Sequence, residues 1–214
     1  MQRIGGIMTN ENKKVIKWLG ILGMLLPVSL FFFNTIFGKG VNPPNVLQSI
    51  SATHFSIAGL LFSCLVAGVG FFLLFYQGYD TKDRIVCKIA GINAMLLVFF
   101  PCTLGDEVVK NFLNLSGKVS NFIHCATAFL FFVALMFMIA FQFTKTNGVK
   151  TGRKVKRNNI YYVCAGTMAC GLLIGGAFSI FGIGGQSLFW GEAVALWAFG
   201  IAWLTKGGII LKDL

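Results

Sequence analysis

Residues 188–206 read LFWGEAVALWAFGIAWLTK. Apart from Glu192 and the closing Lys206, nothing in the run is ionisable, and its length is close to the roughly 20 helical residues that cross a hydrocarbon core. Such a stretch predicts a membrane helix. Glu192 then lies about four residues past the helix start, roughly 6 Å below the membrane boundary at 1.5 Å per residue. Ionisable groups at such depth face the interior of a helix bundle and find polar partners there, or mark a functional site.

Five further apolar blocks precede it, so the chain reads as an all-α polytopic membrane protein of six transmembrane helices forming one domain: about 15–37, 55–76, 85–103, 121–143, 160–182 and 188–206. Composition agrees. Of 214 residues 56% are hydrophobic, 23 are Phe and only 12% are charged, against about 25% in soluble domains. The first block has too long an apolar core for a signal peptide, and no small-x-small cleavage site follows it. Pro27 within it predicts a kink, because proline lacks an N–H and clashes with the preceding turn.

The net charge of +11 is unevenly distributed. With the N-terminus in the cytoplasm, every Lys and Arg except Lys39, Lys110 and Lys118 falls on inner segments, and all four tyrosines (Tyr76, Tyr79, Tyr161, Tyr162) fall at the inner boundary. Positive-inside topology and an aromatic belt give the same answer: both termini are cytoplasmic. Nucleic acid is not implied. The run KTNGVKTGRKVKR, Lys145 to Arg157, is a topogenic inner loop that also suits anionic lipid headgroups.

The connections are too short for a soluble domain, so function resides in the bundle or at its mouths. Gly38–Thr53 contains PPN and the polar run QSISATH. In Leu104–Ser120, the spacing of Val108, Val109, Phe112 and Leu115 predicts a short amphipathic helix on the outer surface. Helix five carries Gly171 and Gly175, the small residues that let membrane helices approach closely. No C-x-x-C spacing occurs among the six cysteines. Cys102 and Cys125 both fall at the outer face, where an oxidising compartment would permit a disulfide. A weak echo between THFSIAGLLF (Thr53 to Phe62) and IHCATAFLFF (Ile123 to Phe132) aligns His54 with His124.

That echo matters because His54, His124 and Glu192 each open an even-numbered helix on the outer side, and the third helix delivers Asp106 and Glu107 to the same layer. The remaining acids, Glu11, Asp80, Asp83 and Asp213, lie on the inner side. Two neutral imidazoles and a carboxylate are a zinc-binding set with an open position for water, and the same trio suits non-haem iron. Asp106 or Glu107 would serve as general base or would orient a ligand imidazole. The bland alternative is interfacial residues with water partners.

Three stretches, CKIAGINAMLLVFFP (Cys87 to Pro101), FIHCATAFLFF (Phe122 to Phe132) and FWGEAVALWAFGIAWLTKG (Phe189 to Gly207), resemble a set of uncharacterised bacterial integral-membrane proteins. That resemblance implies a bacterial inner (plasma) membrane location and brings no established activity with it. More remotely, His and acid at one face of a small bundle is similar to the CREST membrane hydrolases. This likeness implies a zinc-dependent hydrolase of a lipid-like substrate, with Ser51 and His54 as its Ser and His and Asp106 as its acid. The chain departs from that pattern: Ser51 and His54 are three apart instead of four, the last helix has no H-x-x-x-H, and six spans replace seven. Three functions follow as expectations: a metal-dependent hydrolase, a proton- or cation-coupled transporter, and a non-enzymatic membrane scaffold whose polar layer holds helices together.

Overall fold

The computed structural model describes residues 10–38, 47–78, 80–103, 111–146, 149 and 151–211. Among them there is no strand. Six helices follow one another: α1 (Asn10–Phe37), α2 (Gly59–Phe75), α3 (Thr81–Phe99), α4 (Gly117–Phe137), α5 (Gly152–Ile180) and α6 (Ser187–Lys206). A 3-10 turn (Ser51–Phe55) precedes α2, and a π turn (Met138–Gln142) extends α4. Four of these are long and apolar enough to cross a membrane: Asn12–Phe37 of α1, α4 with its π turn, α5 and α6. At 17 residues α2 is shorter, and α3 has Lys82, Asp83, Arg84 and Lys88 in its first turns.

Helix boundaries follow local chemistry that hydropathy does not register. Asp80 caps α3 by accepting from the Asp83 N–H at 2.8 Å, so that helix starts at Thr81, ahead of the apolar block. It stops at Phe99 because Pro101 disfavours a helical conformation at Phe100. Thr151 accepts from the Lys154 N–H at 3.2 Å and starts α5 at Gly152, two turns inside the basic run. The polar run before α2 coils as the 3-10 turn, which delays that helix to Gly59. The surface helix expected over 104–120 is corrected in its second half. Phe112 and Leu115 lie in a turn with Asn114 in the left-handed region at φ 52°, braced by the Asn111 side-chain amide, which donates to the Leu115 carbonyl and accepts from the Leu115 N–H. Val108 and Val109 lie outside the described residues.

The helices form a ring in the order α5, α6, α1, α2, α3, α4, closing through light contact between α4 and α5. Glycine stands at the tight crossings. A Cβ on Gly175 of α5 would lie 2.9 Å from the Gly191 Cα of α6, and one on Gly200 of α6 would lie 2.9 Å from the Gly20 carbonyl oxygen of α1. Likewise a Cβ on Gly91 of α3 would lie 2.8 Å from the Gly70 oxygen of α2. Backbones meet there, and close packing replaces the hydrophobic drive that a lipid solvent does not supply. Large apolar side chains such as Phe71, Phe122, Phe129, Leu173 and Ile180 face outward.

Neighbours in the ring run antiparallel. One end of the bundle gathers the finish of α1, α3 and α5 with the start of α2, α4 and α6, and it holds Glu192. The other end holds Arg157. Adding one methyl at the α5–α6 crossing tests this packing: Gly191→Ala should lower the unfolding free energy in mixed detergent by about 1–3 kcal/mol, the usual range for overpacking. Gly176→Ala, where nothing lies within 4 Å, should be neutral or slightly stabilising.

Candidate functional site

Glu192 sits on the second turn of α6 and is partly buried. Its Oε2 accepts from the Ile50 N–H at 2.6 Å, a residue 142 positions away in sequence. Just before it, the Phe189 N–H donates to the Gln48 carbonyl at 3.1 Å, which satisfies one of the orphan donors at the helix start. Residues 48–50 are thereby strapped across the mouth of the bundle. The strap's own polar groups are turned onto itself: Ser49 Oγ accepts from the Ala52 N–H at 2.9 Å, Ser56 Oγ donates to the Thr53 carbonyl at 2.7 Å, and Thr53 Oγ1 donates to the Ile50 carbonyl. This is what the QSISATH run is for structurally. It lets a non-helical segment lie against apolar helices with its backbone satisfied.

Beneath the strap lies a cavity of about 40 Å³. Its walls come from α1 (Leu26), α2 (Phe62, Val66, Val69), α3 (Leu97), α4 (Ala128, Phe131, Phe132) and α6 (Leu196), with Ile50 and Ser51 from the strap. Glu192 is the one ionisable group in that lining. Among the expected site residues, then, the structure brings Ser51 and Glu192 onto one cavity.

The imidazoles are differently occupied. His124 is buried in α4 with Nδ1 2.9 Å from the Phe100 carbonyl oxygen. Ser120 Oγ donates to the Pro101 carbonyl at 2.9 Å, and Asn121 Oδ1 accepts from the Thr103 N–H at 3.0 Å. Because Pro101 ends α3, these backbone groups lack helical partners, and the first turns of α4 supply them. The Phe100 contact assigns the proton to Nδ1 of His124. His54 closes the 3-10 turn with its ring edge-on to Phe62, at 6.1 Å between centroids, and its Nδ1 is buried with no hydrogen-bond partner. Burial lowers its pKa from the ordinary 6.5, so it is held neutral.

The two imidazoles lie within electrostatic reach of each other, and Glu192 within reach of Cys102 and Cys125. Burial, and then the Glu192 charge, pushes the Cys102 thiol up to about 12. Both cysteines are free thiols. Among the described residues, no three of His, Cys, Asp and Glu converge as a metal-holding group. Glu192 Oε2 is engaged by a backbone N–H and His124 Nδ1 by a backbone carbonyl, bonds that involve neither the second Glu192 oxygen nor the His124 Nε2. Asp106 and Glu107 lie outside the described residues.

Sequence reasoning missed two features. Asn34, near the end of α1, is fully buried with neither amide atom hydrogen-bonded. At the opposite end, Arg157 from the basic run turns inward and is buried. It donates to the Thr205 carbonyl at 3.0 Å, the Lys206 carbonyl at 3.4 Å and the Tyr161 hydroxyl at 3.2 Å, so it caps α6. Lys206 is buried with its Nζ 4.8 Å above the Phe143 ring, and Lys145 pairs with Asp80 at 2.7 Å, with the buried Asp83 at 3.9 Å. The Lys145 ammonium holds the Asp80 carboxyl below its usual range. Between this cluster and the cavity, Trp203 packs edge-on against Tyr76 (5.2 Å) and Phe143 (5.0 Å). The available signal was the four-residue spacing of Arg157 and Tyr161, which puts both on one helix face.

Compared with known protein families, with curated proteins and with solved structures, the chain matches none.

Two outcomes follow. Above pH 6.5 His54 is neutral whether folded or not. Below it the unfolded chain takes up a proton that the folded one resists, so stability falls as pH drops. Unfolding midpoints measured from pH 8 to 5 should fall less steeply in His54→Gln. Asn34→Leu, which replaces an unpartnered buried amide by an apolar group of similar size, should raise the unfolding free energy by about 1–3 kcal/mol in the same detergent assay.

Proposed function

We propose that the protein crosses the inner (plasma) membrane of a bacterium six times, with both termini cytoplasmic, and works as a proton- or cation-coupled carrier whose binding group is Glu192. Support for six crossings comes from the ring itself, in which α2 and α3 alternate in direction with the four longer helices. The Arg157 end carries Lys13, Lys14, Lys17, Lys145, Arg153 and Lys156 and is the cytoplasmic one by the positive-inside rule. Arg153 and Lys156 are exposed there and suit anionic headgroups, whereas Arg157 is turned into the bundle.

The observation that carries the reading is a single carboxylate on a cavity lined by five helices and flanked at both ends. On one side lies the strap that Glu192 itself holds. On the other lie the aromatic layer of Trp203, Tyr76 and Phe143 and the ionic cluster behind it. An ionisable group between two barriers that could open in turn suits alternating access, and intramembrane carboxylates mark ion and substrate pathways. A hydrolase acting on a lipid-like substrate has one observation in its favour, that Ser51 lines the cavity with Glu192. It is the weaker reading because neither His54 nor His124 is among the residues that line that cavity.

Dicyclohexylcarbodiimide, which partitions into bilayers and reacts with carboxyl groups in them, provides the test. Treated membranes should yield the protein modified at Glu192, and reconstituted vesicles should lose proton movement, reported by an internal pH dye, on treatment or in Glu192→Gln. Modification at other carboxylates with Glu192 untouched, or undiminished proton movement in Glu192→Gln, would overturn the carrier reading.

A further inference from the structure

We infer that a second copy of this chain docks in the outward groove between α5 and α6, the two copies pairing in parallel about a two-fold axis through Gly166, Thr167 and Cys170 of α5. The lining of that groove comes from α5 and α6 alone. On α6 it takes Trp190, Gly191 and Val194, which at 3.6 residues per turn lie on the side opposite Glu192 and Leu196 of the cavity. The pairing is therefore independent of what the cavity carries.

Helix α5 is the least buried of the four long helices: 17% of its apolar stretch is buried within the chain, against 39% or more in the others. It carries two pairs of small residues four apart. Gly171 and Gly175 are used inside the chain, where an added Cβ on either would meet Gly191 at 2.9 Å. Gly166 and Cys170, on another side of the helix, are unused: a Cβ on Gly166 meets nothing within 4 Å, and Cys170 is exposed. Such a pair lets two membrane helices cross at backbone distance. Val163 and Ile174, 67% and 55% exposed, flank it about one turn away on either side.

Space alone does not choose an occupant, because an acyl chain fills an apolar groove as well as a helix does. Thr167 chooses. It lies about 20 Å from either end of α5 at 1.5 Å per residue, the mid-depth of a hydrocarbon core about 30 Å thick. Elsewhere in the apolar helices Ser29, Thr35, Ser63, Thr127 and Thr205 each donate to a carbonyl three or four residues back. Thr167 lines the groove, and its hydroxyl has no hydrogen-bond partner among the described residues. Ser187, at the outer end of the same groove, keeps a buried Oγ that is likewise unpartnered among them. Lipid tails hold no hydrogen-bonding group at mid-depth, whereas hydroxyls do bond across pairs of membrane helices. About a two-fold axis Thr167 meets its own counterpart, and a hydroxyl both donates and accepts, so the one residue serves both copies.

The test is energy transfer between donor- and acceptor-labelled copies of the full chain in vesicles of phosphatidylethanolamine and phosphatidylglycerol, over a range of protein-to-lipid ratios. The unmodified chain should pair. Gly166→Leu, whose side chain has room in the single chain, should weaken pairing roughly tenfold or more by holding the backbones apart. Thr167→Val, close in volume but without the hydroxyl, should weaken it roughly three- to tenfold, and Thr167→Ser should restore it. Gly176→Leu, on the side of α5 away from the groove and also with nothing within 4 Å, should change nothing. In native membranes, copper phenanthroline should join two chains through Cys170, giving a product absent from Cys170→Ser. Chains that stay single at every ratio overturn the inference, as does Gly176→Leu proving as disruptive as Gly166→Leu, or Thr167→Val pairing as well as the unmodified chain. A phospholipid retained by single chains in native mass spectrometry and lost in Gly166→Leu overturns it in favour of a lipid occupant.

Discussion

Helix α6 lies between α5 and α1 at backbone distance because glycine stands at both crossings, Gly191 against Gly171 and Gly175 on one side and Gly200 against Gly20 on the other. Lipid offers no hydrophobic reason for helices to associate, so cohesion depends on how closely they approach. The result is a helix most of whose side chains are buried within the protein, including Phe189, Phe199, Ala202 and Trp203. Glu192 at one end of α6 and the last carbonyls at the other find their partners within the protein.

The polar groups are placed to suit the helix that bears them. Glu192, Leu196, Phe199, Trp203 and Lys206 recur at spacings of four and three, which keeps them on one stripe. Leu196 lines the cavity beside Glu192, and Trp203 closes the aromatic layer beneath it. The stripe begins with an acid near the positive end of the helix dipole and finishes with Lys206 at the negative end, where Arg157 also donates to the last carbonyls. A backbone N–H from the strap meets the acid, and the buried Arg157 meets the carbonyls. The same helix thus carries a carboxylate into the cavity at one end and is anchored by cations at the other.

Each closure of the cavity joins elements remote in sequence. The strap reaches α6 from just before α2, so any change in how Glu192 is engaged bears directly on the mouth of the bundle. The inner closure draws on the end of α2 (Tyr76), the turn after α4 (Phe143) and the end of α6 (Trp203). The π turn at Met138–Gln142 sits beside it and makes a local break in the regular ladder of α4, of a kind often found at functional positions.

Hydropathy alone located the apolar helices, and α6 agrees with the predicted block to within a residue, because a membrane helix must satisfy its backbone internally and so announces itself by length and polarity. The special standing of Glu192, and the use of Gly171 and Gly175 in packing, were legible for the same reason: in a chain this apolar, a charge or a run of small residues is conspicuous. Partnership was not legible. That Glu192 meets the Ile50 N–H, that His124 serves the Phe100 carbonyl, that Arg157 leaves the basic run to cap α6, and that Asn34 is buried unpaired depend on which helix faces lie together. A one-dimensional pattern records which face of a helix is apolar but not which neighbour it meets. In a bundle whose outer surface is as apolar as its core, even the distinction between inward and outward faces waits for the tertiary structure.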